Sequence, residues 1–503
     1  MSPELLRNYL ALLPEIALVV MIIVIFAYER HLAPENRRQL GLVSAWGAFV
    51  ILLATLGLWY FAGIPDLNTS NSIGETLIWG GMMRNDGFTL VFRIMFLMAL
   101  GLTSLISMDV KSLQRGEFYI LLHVATIGFS LMAAAADLIM LYVALETASL
   151  SLYVMVGFVT SSPRSTEGGM KYFVYGAFAS ALMLYGLSLI YGMTGQTNIY
   201  AIAQGVLNGG LQVAELNFNN AFLVAAILIL AGFAFKVSAV PFHFWTPDAY
   251  EGAPTPVTAF LSTASKAAGF AVLFRVFSIG MLGAPVPDRS NAWWTILVAM
   301  CIVTMTLGNM LAIYQSSIKR MLAYSSIAQA GYIIVGLVTF TADGLGAAMF
   351  YLFMYVLTNI TAFGVVVLFD NQTGTDDLKA YSGLSRRSPY LALAMMLALL
   401  SLGGIPPTAG FIAKFLLFRA AVDAGLWWLA LIGIVNAFIA LYYYLSVLKY
   451  LYLYRSEEEE IGIPSPRAAT VALLFSSLGI IILGTVAAPL IEWTQRAAAA
   501  FLG

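Results

Sequence analysis

FKVSAVPFHFWTPDAYEGAPTPVTAFLSTASKAAGF, residues 235–270, decides how the rest of the chain is read. Lys236 closes one apolar run, Lys266 stands in the middle of the next, and Pro241, Pro247, Pro254 and Pro256 lie between them. Proline has no backbone N–H and clashes with the preceding turn, so a helix entering this stretch must break. A charged side chain at mid-bilayer costs roughly 3 kcal/mol or more and turns toward a protein interior or a water-filled cavity. Non-helical backbone at that depth is tolerated only in the same places. The two signals together predict an intramembrane ion path built on a broken helix.

The surrounding composition supplies the membrane. Of 503 residues, 60% are hydrophobic and only 10% charged, with a mean hydropathy of +0.86, which is the composition of a polytopic membrane protein. A net charge of −1 offers no basic stripe to neutralise phosphates and argues against a nucleic-acid partner. The single cysteine, Cys301, lies in an apolar run and can neither form an internal disulfide nor bind a cluster alone. No glycine-rich nucleotide-binding pattern follows a strand, and no Cys/His spacing suits zinc, haem or iron–sulfur ligation. Redox chemistry is therefore not expected of this chain, and no metal site is expected in it.

Runs of about 20 apolar residues, taken as spans, number fourteen and centre near residues 19, 52, 98, 126, 147, 181, 228, 266, 303, 331, 357, 398, 440 and 479. The first, about Leu10 to Ala27, follows one basic residue, Arg7, and lacks a small-residue cleavage site, so it reads as a retained span. With the N-terminus outside, the inner loops collect fourteen basic residues, among them Arg37, Arg38, Lys319, Arg320 and Arg467, against five outside, Arg289 included. That excess places both termini on the outer side. The acidic run Glu457 to Glu460 reads as a solvated inner loop.

Pro241 interrupts span seven, and Gly403-Gly404-Ile405-Pro406-Pro407 interrupts span twelve. Grouping spans four to eight and nine to thirteen puts a break in the fourth helix of each group. Five crossings is an odd number, so the groups run in opposite senses, as inverted repeats with discontinuous helices do. The organisation expected is 1–116 for the first three spans, 117–280 and 281–455 for the repeats, and 456–503 for a loop and the last span.

Four ionisable residues inside the spans are the candidate relay. Glu146, in LIMLYVALETASLSLYVMVGF, shares a helical face with Tyr142, Ser149 and Tyr153. Lys236 is either its partner or a lysine snorkelling to the surface. Lys266 lies about ten residues from either end of span eight, with Thr258, Ser262 and Gly269 on its face, and Lys414 follows the second break. A lysine's proton affinity in a dry interior depends on whether a carboxylate stands near, so moving or neutralising that neighbour switches it. Ser325, Gln329 and Tyr332, and likewise Tyr351, Tyr355 and Asn359, form polar faces that hold water between the lysines or bond neighbouring helices. His243, in the break, is a backbone cap or a proton carrier, and His123 is a core histidine. Arg93 and Arg275 read as paired structural charges, whereas Glu15 and Lys449, near span ends, are expected to reach the interface.

These stretches resemble the antiporter-like membrane subunits of proton-pumping NADH:quinone oxidoreductase, complex I. The likeness is carried by 236–270, LALLSLGGIPPTAGFIAKFLLF (397–418), SIKRMLAYSSIAQAGY (317–332) and ALETASLSLY (144–153), within a match of the whole fourteen-span length. Among the branches of that family the chain is similar to subunit N, subunit 2 in mitochondria. Subunits L and M usually carry a histidine where Tyr250 stands, and subunit L has a long C-terminal lateral helix. The resemblance implies a proton relay through Glu146, Lys236, Lys266 and Lys414, the exit role of Lys414 being the most variable in the family. It also implies that FMN, the iron–sulfur clusters and the quinone belong to other subunits, with no cofactor in this chain. The implied partners are the other complex I membrane subunits, and the implied location is a bacterial inner membrane. A cation/proton antiporter or membrane hydrogenase subunit on the same fold, and a structural spacer whose charges only fix helix register, are the alternatives.

Overall fold

A computed structural model describes residues 3–63, 76–207, 218–280, 292–455 and 462–502. Among the described residues the regular structure is helical apart from one short hairpin. α1 (Pro3–Ala11), α2 (Leu13–His31) and α3 (Gln39–Ala62) precede strands β1 (Leu77–Ile78) and β2 (Met83–Arg84). α4 (Gly87–Ser107), α5 (Gly116–Ala134), α6 (Leu138–Val156), α7 (Pro163–Thr194), α8 (Ile199–Leu207) and α9 (Phe218–Val237) follow. Beyond the first break come α10 (Trp245–Gly252) and α11 (Thr255–Ile279). α12 (Ala292–Ala312), α13 (Ile318–Val338), α14 (Ala342–Thr373) and α15 (Pro389–Gly403) reach the second break, and α16 (Ala409–Asp423), α17 (Trp427–Tyr452), α18 (Arg467–Thr485) and α19 (Ala488–Leu502) complete the chain.

Among the described residues, eleven helices are long and apolar enough to cross a membrane, and the apolar helices at 221–237 and 389–403 are shorter. A helix that is apolar all round must be enclosed by other helices or by lipid, and the bundle sorts its helices accordingly. α4 and α11 are wholly buried, α13 and α14 nearly so, while α7, α17 and α18 turn most of their surface outward. That surface is itself apolar, with Phe178, Phe438 and Val471 exposed, as lipid-facing residues are. Small residues draw neighbouring helices together, a means of association that does not rely on water. Gly128 of α5 leaves room only for Ala148 of α6, and Gly308 of α12 does the same for Ala328 of α13.

Both breaks lie where the prolines require. α9 stops at Val237, Ser238 turns left-handed with φ 62°, and the Val240–Pro241 peptide is cis. α15 stops at Gly403, Gly404 caps it with φ 83°, and the Pro406–Pro407 peptide is cis. The first break thus starts directly after Val237, the residue four before Pro241 whose carbonyl a helical proline would clash with and leave without a donor.

Four elements had no counterpart in the hydropathy reading: the hairpin, α1, α8 and α19. They cap one end of the bundle, where the Trp79 indole N–H donates to the Asn8 carbonyl at 3.3 Å and Phe501 stacks on Phe88 at 4.3 Å. Arg84 there donates to the carbonyls of Phe501 and Ala500 at 3.2 and 3.1 Å, so both chain ends meet at the same end.

The expectation for Glu15 was wrong. It is 5% exposed, and Arg93 reaches its Oε1 through Nη2 at 2.8 Å and Nε at 2.9 Å. A carboxylate enclosed among apolar helices is tolerated only when paired, and spacing along α2 cannot reveal that α4 supplies the guanidinium. Arg275 is paired as expected, with Asp86 at 3.4 Å. Lys449 is exposed. Arg289 and Glu457 to Glu460 lie outside the described residues.

Candidate functional site

Lys266 begins a regular helical stretch directly after a π-helical turn, Leu261–Ser265, in the middle of α11. The extra residue in that turn shifts the helical register, so the face shared with Thr258 and Ser262 does not materialise as a set of partners. Ser262 donates to the Ala259 carbonyl of its own helix at 2.9 Å, and Thr258 to the Tyr250 carbonyl at 2.9 Å. Lys266, 1% exposed, instead reaches α13, where its Nζ donates to the Ser326 carbonyl at 2.6 Å and to Ser326 Oγ. The Tyr355 hydroxyl donates to the same Oγ at 2.8 Å, and the Tyr250 hydroxyl lies 3.3 Å from it. Asn359, one turn beyond Tyr355 on α14, is buried beside it.

The neighbouring residue starts a second string. Ser325 Oγ bonds the Tyr444 hydroxyl from α17, and Gln329 Nε2 donates to that hydroxyl and to the Leu402 carbonyl, each at 3.2 Å. The Tyr351 hydroxyl bonds Gln329 Oε1. Lys414 of α16 donates its Nζ to the Leu402 and Gly403 carbonyls at 2.8 and 3.0 Å and lies 4.9 Å from the Tyr332 ring centre. The last carbonyls of a helix have no intrahelical partner and carry its negative end, so the break that exposes them at the end of α15 also holds a buried ammonium. Tyr332 is fixed in turn by Asn309 Nδ2, which donates to its hydroxyl at 3.1 Å.

On the other side of Lys266, Lys236 lies in the last turn of α9, and its Cβ is 3.2 Å from where a Cβ on Gly269, one turn beyond Lys266, would stand. Its Nζ is buried without a hydrogen-bond partner among the described residues, an arrangement that costs several kcal/mol when the ion is left uncompensated. Glu146 is the carboxylate whose charge acts on it, with no direct ion pair between the two among the described residues. Glu146 is half-buried and accepts from the Ser180 hydroxyl. Tyr142 beside it is half-buried too, while Ser149 bonds the Leu145 carbonyl of its own helix at 2.5 Å. His243 lies buried within the break, its ring 4.4 Å from that of Phe244.

Opposite the end where the termini meet, Asp248 accepts from Lys171 at 2.8 Å and from Arg320 at 3.0 Å, and Arg320 also pairs with Glu251 at 2.7 Å. A cavity of about 340 Å3 opens here at the start of α11, bounded by Arg164, Glu251, Lys319, Asp370 and Asp376. Among the described residues no group of three or more His, Cys, Asp or Glu stands close enough to hold a metal ion.

The structure thus gathers Lys266 with Tyr355, and Lys414 with Gln329 and Ser325. It leaves Ser149 and Ser262 bonded within their own helices. The sequence reading missed Ser326, Tyr444 and the α15 carbonyls. The Ser325-Ser326 pair carried a signal, but the choice between two adjacent hydroxyls depends on the rotation of α13, which its weak amphipathicity leaves open.

A family model described as "NADH:quinone oxidoreductase/Mrp antiporter, TM" matches residues 135–440. The chain is 42% identical over 470 residues to NADH-quinone oxidoreductase subunit N of Moorella thermoacetica, covering 93% of each. It is 38% identical over 499 residues to NAD(P)H-quinone oxidoreductase subunit 2 of Trichodesmium erythraeum, covering 96% of this chain and 90% of that one. A chain of respiratory complex I from Thermus thermophilus superposes with a TM-score of 0.77 at 31% identity, over 95% of this chain and 99% of that one. A chain of the Mrp complex from Dietzia sp. shares the fold, with a TM-score of 0.81 at 22% identity over 99% of this chain and 100% of that one.

Proposed function

The chain belongs to the membrane-subunit family of NADH:quinone oxidoreductases and Mrp antiporters, on its subunit N branch, and from that premise we propose that it carries protons across the membrane for a complex I whose redox centres lie in other subunits. One observation carries the reading: two buried lysines, Lys266 and Lys414, stand at two hydrogen-bonded strings that start from the adjacent hydroxyls of Ser326 and Ser325, the second string meeting Lys414 at the Leu402 carbonyl that Gln329 shares with it.

In this reading Glu146 and Lys236 form the switch. A change transmitted from neighbouring membrane subunits alters the field of Glu146, and Lys236, whose Nζ has no competing hydrogen bond among the described residues, responds. Lys266 then releases its proton through the Ser326 hydroxyl, which Tyr355 and Tyr250 also touch. Hydroxyls and the Gln329 amide lead on toward Lys414, whose ammonium the α15 carbonyls hold until it discharges. Tyr142, Asn359 and His243 would contribute to the hydrated margins of this route. The polar cavity at the start of α11 suits the mouth on the loading side. FMN, iron–sulfur clusters and quinone belong to the partner subunits.

The same reading extends to topology. The eleven long apolar helices, α2, and the two crossings assembled from α9 with α10 and from α15 with α16 would make fourteen. Helices of 32 residues stand third in each proposed five-helix repeat, α7 in 117–280 and α14 in 281–455. The first three crossings, 1–116, and the last, within 456–503, flank them. The basic residues at the end opposite the termini support both termini outside, and the bacterial relatives support a bacterial inner membrane.

Lys266→Ala and Lys414→Ala, assayed as proton uptake into vesicles during NADH-driven quinone reduction, test the assignment. Both should depress pumping in the assembled complex, and wild-type rates from either would remove that lysine from the path.

A further inference from the structure

At the end of the bundle away from the termini, α3 and α18 diverge over the last turn of α4 and leave an apolar groove of about 480 Å3. Leu42 and Trp46 line one wall, Val471 the other, and Met108 lies against them. The wall residues are open to the outside, at 41%, 64% and 58% exposure. Two guanidinium groups, Arg38 and Arg467, complete the lining where these helices begin. Asp109 grips Arg38 through Nε at 2.7 Å and Nη2 at 3.3 Å and so fixes it there. Arg467 is exposed and has no acidic partner among the described residues.

From Arg38 to Phe49, the deepest lining residue on α3, the helix rises about 16 Å, roughly half of a ~30 Å hydrocarbon core. The groove is therefore one leaflet deep, apolar along its length and cationic at its mouth. We propose that it holds one anionic phospholipid, an acyl chain lying along Trp46 and the phosphate meeting Arg467 and Arg38. The planar guanidinium fork matches phosphate oxygens in pairs, and basic pockets at the cytoplasmic surface attract anionic lipids. A transmembrane helix seated in the same groove would enclose Arg467 against hydrocarbon with no counter-charge, whereas a phosphodiester supplies one. This assignment goes beyond proton transport and does not depend on it.

The intact complex, stripped in mild detergent and re-equilibrated with vesicles of phosphatidylglycerol in phosphatidylcholine, is the material for the test, with native mass spectrometry counting retained lipid. Wild type should retain one more phosphatidylglycerol than Arg467→Gln, with affinity at that site falling roughly tenfold in the variant and Arg467→Lys, which keeps the charge without the fork, falling between the two. Ala45→Phe, which fills the groove and leaves both arginines in place, should lose the same lipid. Equal retention in all variants, retention of phosphatidylcholine in place of phosphatidylglycerol, or cross-linking of Trp46→Cys to a neighbouring subunit's helix would each overturn the proposal. Proton pumping is not the readout, so failure here leaves the relay standing and failure of the relay leaves the lipid site standing.

Discussion

Lys266 and Ser326 lie 60 residues apart in sequence, and the ammonium of the first meets both the backbone carbonyl and the hydroxyl of the second. The carbonyl can hold the charge but cannot carry a proton onward. The hydroxyl can do both, because it donates and accepts.

Ser326→Ala should therefore separate holding from transfer. The carbonyl contact at 2.6 Å keeps Lys266 in place, while the link to Tyr355 and Tyr250 disappears. Proton uptake into vesicles should fall about tenfold, a change of order 1.4 kcal/mol in the limiting step, with assembly of the complex unchanged. Pumping at the wild-type rate would show that the proton leaves Lys266 by another route.

Tyr444→Phe removes one hydroxyl that joins Ser325 to Gln329 and preserves the ring and its packing. Proton flux should drop while quinone reduction by the complex, measured with an uncoupler present, recovers at least in part. Loss of assembled complex with no selective effect on flux would make Tyr444 a packing residue only.

Gly404→Ala tests the second lysine without touching it. Gly404 has φ 83°, and a Cβ there would stand 2.9 Å from Lys414 Cδ. A left-handed non-glycine residue costs about 1–2 kcal/mol, and relief of the contact shifts the Lys414 side chain against the α15 carbonyls that hold it. Thermal stability should fall slightly and pumping more than slightly, whereas a variant that pumps normally would show that this ammonium position is not needed.

Asp86→Asn probes the charge cluster that caps the other end. Burial would raise the Asp86 carboxyl, but Arg275 and Arg84 beside it and the hydrogen bonds from Thr89 hold it below the usual carboxylate range. A depressed pKa gives stability that is fully present above the unfolded-state value and lost only as pH falls through the folded-state one. The variant leaves two buried guanidinium groups without their carboxylate, at about 3 kcal/mol. The melting difference from wild type should stay constant from pH 8 to pH 5 and shrink only in more acidic solution. A difference that closes within pH 5 to 8 would mean that Asp86 is not held as an ionised partner.

Part of this architecture is legible in the amino-acid sequence itself. Hydropathy marks where helices can cross, and the prolines and glycines at 241 and 403–407 mark where two of them cannot continue. Lysines stranded between such marks announce a polar interior, and the quoted motifs carry the family resemblance. All of these are local properties, set within a turn or two of helix, which is why one sequence suffices to read them. Tertiary packing alone decided that Ser326 rather than Ser325 meets Lys266, that Tyr444 joins the string from 115 residues beyond Gln329, and that Glu15 pairs with Arg93. Those pairings depend on the rotation of each helix about its axis and on the register shift from the π turn before Lys266. A helix apolar on every side has no polar face to set that rotation, so only the close fit of its neighbours determines it.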